Sequence, residues 1–270
     1  MTARALDWTG AANDGNFSTA NNWNDLATGV AALAVPATGD SCYINRTSTA
    51  ITAGLSQGSV DLVTLALGPG FTGSIGAIGT SLTIGVTTQF TYAARCQICN
   101  IAAGTSGIAL ASVGGSGTVS LTAGTTTLLV VGPSGNVNIG ASAVVTGLDN
   151  SGSVTADTGT AFTTTKCGAG TLVSARNLGT LIMGGQANVR ATGAATLTAG
   201  YVLAGSTLTW NSTGTATLIE TFAGGTSTAR GALVGFTITT ETVHPGAAYS
   251  FDAETVNITV GTLKDYRKLI

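Results

Sequence analysis

Hydrophobic positions along this chain fall in short clusters of three or four. Each cluster alternates apolar with polar and is flanked by Gly, Ser, Asn or Thr. Alternation at a period of two marks a strand with one buried face. One series of clusters begins at Val119, Val137, Val154, Leu172, Val189 and Leu208, at successive separations of 18, 17, 18, 17 and 19. A second series interleaves at Leu128, Val144, Phe162, Leu181, Leu197 and Leu218, with separations of 16, 18, 19, 16 and 21. Two or three short strands per roughly 17–18 residues predict an all-β fold, a parallel β-solenoid (β-helix) of short stacked coils. The six residues opening the first series should then form one column. The competing expectation is a β-sandwich or jelly roll, whose strands typically run about 5–6 residues.

Composition favours the solenoid. Successive coils sit about 4.8 Å apart, so outward side chains repeat at that spacing. Like charges laddered so closely repel, whereas Thr, Ser and Asn can hydrogen-bond up and down the ladder. The chain of 270 residues holds 48 Thr and 39 Gly, and only 8% of it is charged, against about 25% in an average domain. Strong helix formers such as Glu and Lys are scarce, which argues against helical bundles. Ten Lys and Arg in a chain of net charge -2 cannot build a nucleic-acid-binding face. Residues 26–36 form an apolar run too short for a bilayer, which needs roughly 20 residues, so no membrane partner is expected. Residues 1–25 lack the basic start and apolar core of a secretory signal. The expectation is a product made in the cytoplasm.

Charge divides the chain in three. Residues 1–61 carry seven charged side chains, residues 62–148 carry one (Arg95), and residues 231–270 carry seven. This predicts an N-terminal cap or attachment segment at 1–50, a solenoid body at 51–230 and a C-terminal β cap at 231–270. About ten coils in the body would give a rod of roughly 50 Å. Bare ends would expose core and unpaired backbone, so caps are required. Trp8, Phe17 and Trp23 are expected as an apolar plug over the first coil. Tyr266 and Arg267 are the residues at the other terminus best suited to docking.

Trp8-Thr9-Gly10, followed by Asp14-Gly15-Asn16-Phe17 and Asn21-Asn22-Trp23, resembles the W-x-G … F-x-x-x-x-N-W opening that precedes β-helical repeats. That opening occurs in bacterial surface adhesins and in virion structural proteins of tailed phages. An adhesin should carry an export signal and often a translocation domain, so the resemblance favours the phage virion proteins, of capsid-decoration or fibre type. It implies a structural protein located in the virion.

Chemistry-bearing residues are sparse. Cys96-Gln97-Ile98-Cys99 has the spacing of half a zinc site or a redox pair, with Cys42, Cys167 and His244 the only other thiols and imidazole. Three readings stand: buried apolar residues, a disulfide, or a metal site. Residues 96 and 99 of one strand would face opposite ways, so a turn must lie between them before they meet. Polysaccharide cleavage needs two carboxylates in one groove. Asp149 and Asp157 are half a coil apart, and Asp157 lies more than three coils from Glu220. Gly114-Gly115-Ser116-Gly117 lacks the Lys of a phosphate loop. The expectation is a non-enzymatic protein without cofactor that decorates or stabilises a capsid as a homotrimer on the major capsid protein or another virion protein. The alternatives are a tail-fibre or tailspike module that binds host glycan, and a bacterial surface adhesin.

Overall fold

The computed structural model describes residues 3–229, 236–251 and 258–266. It is a parallel β-solenoid in two compact units, Met1–Val145 and Thr146–Ile270. The sandwich expectation is set aside by the parallel register of successive coils. Among the described residues, no helix is long and apolar enough to cross a membrane.

The N-terminal unit begins with β1 (Ala5–Trp8), β2 (Trp23–Asp25), β3 (Val30–Ala31) and β4 (Ser41–Ile44). β1 lies parallel to β4, with Leu6 on Cys42. The parallel ladder runs on through β5 (Ser56–Leu67), β6 (Leu82–Tyr92), β7 (Cys99–Val113) and β8 (Thr118–Val131), and β9 (Asn136–Asn150) follows. Coils shorten along this unit. Leu65 sits on Phe90 in an early coil, whereas Val113 sits on Val131, a shorter step along the chain, in a later one. The long strands keep pairing around corners because the register slips there, at Asp61 on β5 and between Ile84 and Val86 on β6. Such slips bend a strand without ending it.

On the other edge of β1, β2 pairs antiparallel, with Leu6 opposite Asp25 and Trp8 opposite Trp23, and β3 pairs in turn with β2. This fold-back satisfies the backbone groups that a first coil would leave bare.

In the C-terminal unit the described strands from β10 onward alternate between two faces. One face carries β10 (Ser153–Ala156), β12 (Thr171–Ser174), β14 (Asn188–Ala191), β16 (Thr207–Trp210), β18 (Thr226–Ala229) and β20 (Ala248–Phe251). The other carries β11 (Phe162–Cys167), β13 (Leu178–Met183), β15 (Leu197–Val202), β17 (Ala216–Thr221), β19 (Phe236–Val243) and β21 (Ile258–Asp265). Val154, Leu172, Val189 and Leu208 register directly and are all buried, so this part of the first series is a column.

The second series is not one column. Phe162 sits on Leu178, Leu178 on Leu197 and Leu197 on Ala216, while Leu181 sits between Thr165 and Gly200. The reason is local. On this face the buried positions within a strand are the first, fourth and sixth, so two outward residues fall together and strict alternation fails.

A column of glycines turns one corner. Gly170, Gly185, Gly205, Gly224 and Gly246 all have φ between 59° and 83°, where a side chain is strained. At Gly170 an added Cβ would also lie 2.1 Å from the Gly152 carbonyl oxygen. Where the chain bulges at residues 157–161, Arg176 fills the gap. It is 1% exposed, donates from Nε to the Asp157 carbonyl at 3.0 Å and lies 5.3 Å over the Phe162 ring. The parallel ladder continues past residue 230, with Ala216 on Ile238 and Ile238 on Val260, an equal step each time.

Candidate functional site

Four of the five residues singled out by sequence are described, and they lie in two places. Trp8, Phe17 and Trp23 are completely buried. Trp23 meets Trp8 and Phe17 edge-on, with centroids 5.1 Å and 5.0 Å apart. Its Nε1 donates to the Phe17 carbonyl at 2.8 Å, and Trp8 Nε1 donates to the Thr49 carbonyl at 3.3 Å. Both indole donors are satisfied, so the cluster is a finished core with no ring face for a ligand. Around it, Asn22 donates to Asp14 and to the Asn16 carbonyl and accepts from the Ala12 amide. Hydrogen bonds from Thr19, the Asn16 amide and Asn22 hold the Asp14 carboxyl below its usual range. The polar residues of the Trp-to-Trp segment thus build the loop that seats its aromatics.

The apolar side chains that do face solvent lie just beyond, in residues 26–35. Leu33 is fully exposed, Val30 is 61% and Leu26 53% exposed. This flap is pinned, not loose. Arg4 donates to the Ala34 and Val35 carbonyls and pairs with Asp40, which also takes the Ala37 amide. Burial raises the Asp40 carboxyl, but these donors outweigh it and hold the group below its ordinary value.

Tyr266 lies on the last coils of the C-terminal unit, and Arg267 lies outside the described residues. There β17, β19 and β21 bring three columns to one outward face. Leu218, Thr240 and Thr262 form the first, and Glu220, Thr242 and Lys264 the second. The third is a stack of rings: Phe222 on His244 at 4.7 Å and 7°, then His244 on Tyr266 at 5.9 Å and 29°. The middle row is Thr240 and Thr242, shorter than Glu220 on one side or Lys264 on the other. A trough follows from this difference in side-chain length. It is a groove of about 660 Å³ lined by Leu218, Glu220, Thr240, Thr242, His244, Pro245, Lys264 and Tyr266. Glu220 Oε1 lies 2.7 Å from His244 Nε2, which ties the imidazole to the wall.

On the inner side of the same strand, Glu241 is fully buried. Its Oε1 accepts from Ser227 at 3.0 Å and Thr221 at 3.4 Å, while Oε2 has no partner. Burial pushes this carboxyl up to about 8, against the lowering effect of the two hydroxyls. The buried Trp210 Nε1 also lacks a partner.

Sequence reading missed this groove. The signal was present as Glu-x-Phe at 220–222, Thr-x-His at 242–244 and Lys-x-Tyr at 264–266, three evenly spaced pairs. Their step is longer than the period of 17–18 read from the body, and that shorter period hid them. Of the acids named from the sequence, Asp149 registers with Lys166 on β11 and Glu220 lines the groove.

The four cysteines are buried and free. A bend at Gln97 supplies the turn that brings Cys96 and Cys99 together, and a hydrogen bond from Cys99 lowers the Cys96 thiol. Among the described residues no three His, Cys, Asp or Glu side chains group as metal ligands. Comparison with known proteins finds no matching family model, no matching curated protein and no matching solved structure.

Proposed function

We propose that the chain is a non-enzymatic structural protein of a tailed-phage particle, carried on the capsid surface as a homotrimer and attached through its N-terminal segment. The observation that carries this reading is the contrast within the first fifty residues. Trp8, Phe17 and Trp23 are spent on closing the first coil, while Leu26, Val30 and Leu33 are held in solvent on a flap anchored by Arg4 and Asp40. Apolar side chains fixed in exposed positions suit a contact surface. The few charges on the coils leave little repulsion to oppose self-association. The groove's lining holds one carboxylate, Glu220, whereas glycoside cleavage uses two.

The test replaces Leu26, Val30 and Leu33 with Ser together. The variant should lose co-sedimentation with purified particles while keeping its melting temperature. Retained binding would move attachment elsewhere. A monomer by sedimentation at micromolar concentration would remove the trimer. The second reading, a module that binds host glycan, is favoured by the groove on β17, β19 and β21.

A further inference from the structure

We infer that the groove between Glu220 and Lys264 is a binding site for a neutral oligosaccharide. This is independent of how the protein attaches to a particle. The outward side chains at 218, 220 and 222, 240, 242 and 244, and 262, 264 and 266 form a grid of three rows and three columns. With rungs about 4.8 Å apart and alternate residues about 6.7 Å apart, the grid spans about 10 by 13 Å. That footprint suits two or three sugar rings lying across the coils.

The groups match such a ligand in kind. Sugar hydroxyls both donate and accept. Glu220, with Oε1 on His244, offers Oε2 as an acceptor. Lys264 offers donors, and Thr240, Thr242 and Tyr266 offer hydroxyls of either sense. Leu218 and Pro245 give apolar surface for sugar C–H faces. Convergent polar groups fix a ligand's orientation while the apolar surface beside them packs against it. The ring stack acts as a wall: Phe222 and Tyr266 cover both faces of His244, so the imidazole presents its edge. Tyr266, at 38% exposure, ends the described stack and presents its hydroxyl.

Charge selects against other ligands. One carboxylate and one ammonium, two rungs apart, cancel at the scale of the groove. A phosphorylated or sulfated chain would gain one cation and meet Glu220. The groove is also open, which fits a stretch of polymer better than an enclosed small cofactor.

The experiment titrates the full chain with neutral hexose and N-acetylhexosamine trisaccharides, using ligand-observed NMR, with a sulfated trisaccharide as the charged arm. At least one neutral trisaccharide should bind. Lys264→Ala and Tyr266→Ala, both at exposed positions, should each weaken binding about tenfold, the loss of one good hydrogen bond to a charged or well-placed group. Thr155→Ala, on another outward face, should leave binding unchanged. Thermal melting of each variant separates lost binding from lost folding, and Lys264→Gln provides a milder substitution. Failure of every neutral trisaccharide, binding confined to the sulfated one, or binding unchanged in both groove variants would each overturn the assignment.

Discussion

The first coil and the last coils solve the same problem, a stack that must stop, in opposite ways. At the first coil β2 folds back antiparallel on β1, and three aromatic rings fill the space beneath it. Every indole N–H there has a carbonyl. In the last coils, by contrast, the described residues include the buried Glu241 Oε2 and Trp210 Nε1 without partners, as Asp61 Oδ1 on β5 and Thr165 Oγ1 on β11 are further from the two ends. β21 pairs with β19, and among the described residues no strand covers its other edge. The contrast teaches where stability is invested and where it is given up. Buried polar groups stabilise a fold when paired and cost about 1–3 kcal/mol each when left alone. Glu241, with one such atom, lies on β19, the middle strand of the groove.

The sharpest way to break this comparison is to remove the plug. Trp23→Ala should destabilise the protein by about 3–5 kcal/mol, through lost packing and an unfilled space. Denaturant unfolding would measure it, and an unchanged midpoint would mean that the aromatic cluster does not close the stack.

Glu241 gives a comparable effect that depends on pH. Its ordinary value is 4.5 and burial raises it to about 8. Between those values the folded chain keeps a proton that the unfolded chain has released, so stability falls as pH rises. Its full benefit is present below about 4.5, and it is lost by about 8. Across that window the loss should amount to a few kcal/mol. In Glu241→Gln the window should flatten, and the variant should melt higher than the parent at pH 8.5. Its amide can donate to the Ser227 and Thr221 oxygens without titrating. Parallel pH–stability curves for parent and variant would refute the buried acid as the source.

The smallest effect is expected at the flap. Leu33→Asp, at a fully exposed position, should change stability by no more than about 0.5 kcal/mol. A large loss would show that the flap belongs to the closure and not to the surface.

Legibility in the sequence followed the regularity of the backbone. Val154, Leu172, Val189 and Leu208 could be aligned from the sequence because their short strands alternate strictly, with inward residues at every second position. On the opposite face the inward positions are three apart and then two, so Leu181 looked equivalent to Phe162 although Leu178 is its true neighbour. The plug was legible because large aromatics are rare in this chain and Trp8, Phe17 and Trp23 fall close together. The groove was not, because its step is longer than the period of 17–18 read from the central repeats and its members sit in a segment that looked like a cap.

By itself, then, the sequence determined the class of fold and the chemistry of its surface. Short apolar alternation, abundant Thr and Gly and the near absence of charge leave stacked parallel coils as the arrangement that buries the apolar residues and spares like charges from laddering. Tertiary structure decided what meets what. Trp23 reaches Trp8 only because β2 turns back on β1. Glu220, His244 and Lys264 share one face only because two successive turns have the same coil length. Register is a sum of corner and strand lengths, and a shift of one residue would send each of these side chains to the other side of the sheet.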